Sequence, residues 1–171
     1  AWLFPVKIIC NGQKLSPGQA RNHGCTFAQG EIFVCQDADD IPHPQRLEII
    51  HYFFEKYNLD HLQHRWSYKD QWEIIHNFEH ISFIFPKEFA ECFPADGKFT
   101  QGNPSLSRDL FSKLKWNSED RGEDTDFNRK AYAITHESKR LLVKMVLYQY
   151  KEHLSTRDAS NAVYYPEVIF E

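Results

Sequence analysis

The sequence predicts an α/β protein, with strand–helix–strand order in its first third and a mixed α+β pattern beyond it. Three observations carry that prediction. Residues 6–35 read as an apolar run, a capped helix and a second apolar run. Residues 44–57 carry apolar side chains at helical spacing. Residues 141–150 are rich in Leu, Val and Tyr.

The first element is Val6-Lys7-Ile8-Ile9-Cys10, which ends at the turn signal Asn11-Gly12 and reads as a buried strand. Ser16-Pro17 then supplies a helix N-cap with proline at the first helical position. Gly30 stands where the helix carrying Ala20, Cys25, Phe27 and Ala28 is expected to close. Ile32-Phe33-Val34-Cys35 is apolar at every position, as expected of a parallel strand covered on both faces, and it ends at Gln36. Together these make a βαβ unit. Pro42 and Pro44 open a helix on which Leu47, Ile50, Phe54 and Tyr57 recur at helical spacing, with Glu48, Glu55 and Lys56 between them, so it is expected to cover the sheet. Residues 59–66, 80–85 and 141–150 have strand character; 107–114 and 124–133 have helical character.

With 171 residues, 42% hydrophobic and 26% charged, and no repeat, low-complexity tract or Gly/Ser linker, residues 1–171 are expected to form one domain. The aromatic share of 15% could supply stacking platforms for sugar rings, but core packing is the default reading for most of these residues. A net charge of −4 with no Lys/Arg block argues against general nucleic-acid binding, so a phosphate-bearing partner needs a local site or a metal ion. No apolar run reaches the roughly 18 residues of a membrane span, and the first ten residues lack the layout of a secretory signal. Cys10, Cys25, Cys35 and Cys92 show no C-x-x-C spacing and three of them lie in apolar stretches, which points to reduced core thiols and a cytoplasmic location.

Open α/β sheets bind ligands beyond the carboxyl ends of their strands, and Asp37-Ala38-Asp39-Asp40 falls at that edge. Acids at 37, 39 and 40 can offer carboxylate oxygens to a hard cation, although Asp is also common in solvated turns. A second cluster, Glu119, Asp120, Glu123, Asp124 and Asp126, precedes a helical stretch. Acids there complement the helix dipole, but five of them repel one another and are expected to raise a carboxyl pKa in a way that suits a general base. Among nine histidines, His61 and His64 would face opposite sides of a strand, and His76 and His80 could be paired ligands only on a helix. His153 follows a strand end, where an imidazole could reach a cleft. No G-x-S-x-G elbow, phosphate-binding G-x-x-x-x-G-K loop or G-x-G-x-x-G fingerprint is present.

In order and spacing these segments resemble the family 2 nucleotide-sugar glycosyltransferases. The matching elements are Ala20-Arg21-Asn22-His23-Gly24, Ala28-Gln29-Gly30-Glu31 and Asp37-Ala38-Asp39-Asp40. Further on come GNPSLSRDLFSKL, the Glu123-Asp124 pair in RGEDTDF, and YQYKEHLS with lysine in place of the family's arginine. The likeness extends from about Val6 to about Ser155. It implies a GT-A fold, Rossmann-like, with a mixed, mainly parallel sheet flanked by helices and truncated at its N-terminus. It also implies an inverting transfer from a nucleotide-diphosphate sugar donor to a glycan or other hydroxyl acceptor. Asp39, with Asp37 beside it, would hold Mn²⁺ or Mg²⁺ on the donor diphosphate. Asp124 would be the general base, with Glu123 the neighbour that could exchange roles with it. Arg21 would help hold the nucleotide, and His153 would close over metal and phosphate.

The family's first strands, which seat the nucleoside, have no counterpart here. An apolar sheet edge is expected to be covered by residues 1–5 and 163–170, by a second copy of the chain, or by a partner. Two rival readings are a non-catalytic sugar-nucleotide or glycan-binding module on the same fold and a hydrolase working with two carboxylates.

Overall fold

The computed structural model describes residues 6–68, 72–92, 103–118 and 122–151. Helix α1 spans Pro17–Phe27 and starts where the sequence predicts. Ser16 Oγ accepts from the Gln19 N–H, and Gln19 Oε1 accepts from the Ser16 N–H at 2.9 Å, a reciprocal cap that satisfies two otherwise orphaned donors. The helix closes at Ala28, before Gly30. Residues 6–10 form no strand, and Val6 and Ile8 are 59% and 68% exposed. Strand propensity is a fit to neighbouring strands, and among the described residues this run has none beside it.

Strand β1, Ile32–Val34, pairs antiparallel with β5, Ser105–Ser107, so the expected parallel βαβ unit does not form among the described residues. The remaining strands are β2 (Ile41–Pro42), β3 (His61–Ser67), β4 (Phe83–Ile84) and β6 (Arg140–Gln149). Their order is β1-β5-β3-β6-β2, with β4 also paired to β6. The sheet is mixed, as expected, but less parallel than expected: β3 and β6 form the one parallel ladder among the described residues. Parallel pairing needs a long crossover, which the chain between β3 and β6 supplies; β2, β4 and β5 are strips of two or three residues paired antiparallel to their neighbours. The stretch 80–85, expected as strand, is shared between a single 3₁₀ turn, Phe78–His80, and β4.

Helix α2 spans Arg46–Tyr57 and ends at Asn58, a left-handed cap with φ of 49°. Its buried stripe is Ile49, Ile50, Phe53 and Phe54, which packs with Leu62, Leu141, Val143 and Leu147 of β3 and β6. Leu47, expected on that stripe, is exposed, because the helix is turned so that 49 and 53 face inward. Helices α3 (Arg108–Lys113) and α4 (Glu123–Ile134) build a second core from Leu110, Phe111, Phe127 and Ala131 with Phe33, Leu106 and Trp116. Trp116 stacks on Phe127 with centroids 3.9 Å apart. The partly buried Ile32 and Val34 pack with the α2 core and Phe33 with the other, as strand alternation requires, so the sheet is covered on both faces. Gly18 lets α1 approach this second core. A Cβ at that position would sit 2.9 Å from Trp116 Cβ and closer still to the Asn117 carbonyl.

Cys35 is buried, Cys25 is half-buried and Cys10 is exposed, so the expected core thiols are only partly core; none of the three is in a disulfide. Burial pushes the Cys35 thiol up to about 12.

Candidate active site

The acidic turn 37–40 lies just past the end of β1. The Asp40 N–H donates to the Asp37 carbonyl at 3.3 Å and closes it. Two side chains hold it from either side. Gln36 Nε2 donates to the carbonyls of Asp37 (2.9 Å) and Asp40 (3.3 Å). Asn103, fully buried, accepts from the Asp37 N–H at 2.8 Å and donates to Asp40 Oδ2 at 3.3 Å. Asp40 is itself buried, and its second oxygen accepts from the Lys151 N–H at 3.2 Å. Desolvation, helped by the charges of Asp37 and Asp39, pushes its carboxyl up to about 6 against the pull of those hydrogen bonds. Asp37 is half-buried and Asp39 exposed. The three acids therefore differ in role: Asp40 is a buried anchor, while Asp37 and Asp39 border solvent.

Arg21, on α1, joins this turn to the second acidic cluster. Its Nη2 lies 3.0 Å from Asp37 Oδ1 and its Nη1 3.0 Å from Glu123 Oε1, the first residue of α4. Burial opposes its charge, but Asp37 and Glu123 outweigh that and raise its pKa. Two sequence-predicted acids from distant parts of the chain thus share the guanidinium of a third sequence-predicted residue.

The remaining acids of the second cluster disperse. Asp126 pairs with Lys130 at 2.6 Å and accepts from Asn117; Glu119 and Asp120 lie outside the described residues. Asp124 is half-buried, and its Oδ1 accepts from the Thr125 N–H at 2.6 Å. Its carbonyl accepts from Asn128 Nδ2 at 2.8 Å, and Asn128 Oδ1 lies 3.0 Å from Nε2 of His61 on β3. Burial drives His61 down to about 4, so its ring is neutral and donates through Nε2. His64, on the opposite face of β3, accepts from Arg46 Nε at 3.1 Å. The two rings thus face opposite sides of β3, as their spacing implies, while His76 and His80 lie outside any α-helix. His153 and the strand candidates 1–5 and 163–170 lie outside the described residues.

Among the described residues no group of three or more His, Cys, Asp or Glu is gathered so as to hold a metal ion. The two solvent-bordering carboxylates of the turn are an oxygen donor set of the kind Mg²⁺ and Mn²⁺ use together with substrate phosphates. Beside them a cavity of about 500 Å³ runs between α1 and β1, its apolar wall including Ala20, Cys25 and Phe33, its polar end formed by Arg21, Gln36 and Asp37.

Sequence reading missed Arg46 and Asn103. Arg46 did leave a signal: it stands one turn before Ile49 and Ile50 and two before Phe53, a charge on the apolar stripe of α2.

A mixed sheet between helices, with an acidic turn at a strand end and a carboxylate at a nearby helix start, is an architecture of the GT-A-like class. The model of "Glycosyl transferase family 2" matches residues 2–115, two thirds of the chain, and the chain belongs to that family. Its fold is GT-A-like. The crystal structure of S. aureus TarS 1-349 superimposes with a TM-score of 0.58 at 17% identity over 78% of this chain and 40% of that one. The crystal structure of a mycobacterial protein does so with a TM-score of 0.56 at 14% identity over 88% and 47%. The chain therefore spans two fifths to a half of these solved structures. No curated protein matches it by sequence. No described helix is long and apolar enough to cross a membrane.

Proposed function

We propose that the chain carries the catalytic part of a metal-dependent, inverting glycosyltransferase that moves a sugar from a nucleotide-diphosphate donor to an acceptor hydroxyl, on a glycan or another molecule. The observation that carries this reading is the Arg21 bridge, which brings the strand-end acid Asp37 and the helix-start acid Glu123 onto one cation. Asp39 and Asp37 would hold the divalent ion, and its charge would neutralise the diphosphate as it leaves. Arg21, at the polar end of the cavity, orients the nucleotide side of the donor. Asp124 takes the proton from the acceptor hydroxyl. The oxygen attacks the anomeric carbon, the bond to the diphosphate oxygen breaks, and that oxygen keeps the electron pair. Glu123, held by Arg21, keeps the start of α4 beside the donor side of the site. His153 would close over the phosphates.

The test is calorimetric titration with a panel of nucleoside diphosphates, with and without Mn²⁺, beside a transfer assay. Metal-dependent binding of one nucleotide is expected, lost in Asp39→Ala. Asp124→Asn should bind that nucleotide as tightly as the parent yet lose turnover by roughly 10²-fold or more. Turnover surviving in Asp124→Asn would refute the base. Binding without turnover in the parent would favour the non-catalytic module.

A further inference from the structure

Arg46 is 2% exposed and, among the described residues, makes no hydrogen bond or ion pair to a carboxylate. Among the described residues its side-chain hydrogen bonds go to neutral acceptors: Nε to His64 Nε2 (3.1 Å), Nη1 to Gln36 Oε1 (3.2 Å), and Nη2 to the carbonyls of Cys35 (2.9 Å) and Asn103 (3.2 Å). Burial lowers its pKa to about 10, which leaves it charged at neutral pH. A buried cation is costly unless its hydrogen bonds are well placed, and these have a common destination. Gln36 and Asn103 are, with Arg21, residues whose side chains grip the acidic turn, and Cys35 is the last residue of the apolar run leading into it. His64 supplies the fourth contact. Its Nδ1 lies 3.1 Å from the Arg65 carbonyl and donates to it, which leaves Nε2 as the acceptor that Arg46 needs.

We propose that Arg46 is a positioning residue for the acidic turn: through Gln36 and Asn103 it fixes residues 37–40 in the geometry in which Asp37 and Asp39 offer their oxygens to a divalent cation. This rests on the metal-dependent reading above. The planar fork is what the arrangement uses. Lysine would keep the charge but could not span Gln36, two carbonyls and an imidazole together. The same charge also offsets the carboxylates of Asp37 and Asp40.

The experiment compares the parent chain with Arg46→Lys and Asn103→Ala, the second of which removes the Asn103 grip on the turn while leaving the Arg46 side chain unaltered. Two quantities are read: hydrogen exchange at the Asp37 amide, without metal, and Mn²⁺ affinity by electron paramagnetic resonance with the nucleoside diphosphate that binds best. Both variants should exchange the Asp37 amide faster. Both should bind Mn²⁺ about 10- to 100-fold more weakly, the range typical when a support behind a metal ligand is lost. Parental exchange and affinity in Arg46→Lys would show that charge alone suffices and would overturn the proposal. Parental affinity in Asn103→Ala would overturn it as well, whatever the fate of Arg46→Lys. A parent that binds no Mn²⁺, with exchange still faster in both variants, would refute the metal-dependent reading and with it the cation half of the proposal, while upholding Arg46 as the brace of the turn.

Discussion

Replacing Arg21 with Met tests the joint that brings the two acidic clusters together. The side chain is 13% exposed, Glu123 is 9% exposed and Asp37 is 37% exposed. Methionine fills much the same volume, so the loss is mainly electrostatic. Glu123 would be left as a largely buried carboxylate without its cation, a change that costs about 3–5 kcal/mol in comparable pairs. Asp37 is solvated enough that its share is below about 1 kcal/mol. A total of about 3–6 kcal/mol is expected, or a fall in Tm of roughly 10–20 °C for a chain of this size. Glu123→Gln alone should cost less, because Arg21 retains Asp37. The double variant Arg21→Met/Glu123→Gln should be more stable than the sum of the singles by at least about 1.5 kcal/mol, since the stranded charge is gone. Urea unfolding of the four proteins at two salt concentrations measures this. The coupling should change little with salt, because the pair is sheltered. Singles that add to within about 0.5 kcal/mol would refute the bridge as the joint of the site.

Two further substitutions probe what surrounds it. Asp40 has a folded pKa of about 6 against 3.8 unperturbed, so the folded state keeps its proton longer and stability falls as pH rises from about 4 through 6. Asp40→Asn should therefore be more stable than the parent at pH 7.5, by up to about 3 kcal/mol, and lose that advantage by about pH 4; urea unfolding across pH would show it, and a difference independent of pH would contradict it. Gly18→Ala would gain about 1 kcal/mol in an open helix. Here the new Cβ meets Trp116 and the Asn117 carbonyl, and a net loss of about 1–3 kcal/mol in the same assay is expected; a stabilised variant would contradict the close contact.

What the sequence disclosed was what local chemistry decides. The Ser16 cap, the helical stretch of α2, the helix beginning at Glu123 and the long strand β6 all follow from spacing and capping within a few residues, although the buried stripe of α2 is turned away from Leu47. The run 6–10 misled because its Val and Ile content signals readiness to pair and says nothing about whether a neighbour is there. At the site, the acids and Arg21 were legible as motifs, but their sorting was not. Asp126 goes to a lysine on its own helix, Glu123 to an arginine 102 positions away, and Asp40 under cover. Each outcome depends on which distant groups arrive, and helical or strand periods carry no record of that. Asn103 was illegible for the same reason: its value lies in touching residues 37 and 40 across a gap of more than sixty positions.

His61 and His64 stand three apart on one central strand, the first reaching toward α4 and the second toward α2. Each is the far footing of a short chain of bonds that ends at one of the two acidic loci: His61 through Asn128 at the backbone of Asp124, His64 through Arg46 at the turn. The interval between the two acidic loci is thereby set by the pleat of β3, which is hydrogen-bonded along β6 and does not stretch. Loops around the two loci can lengthen, shorten or change composition while the gauge between them stays constant. Because both rings are held neutral, that gauge also does not drift with pH across the range in which cells work.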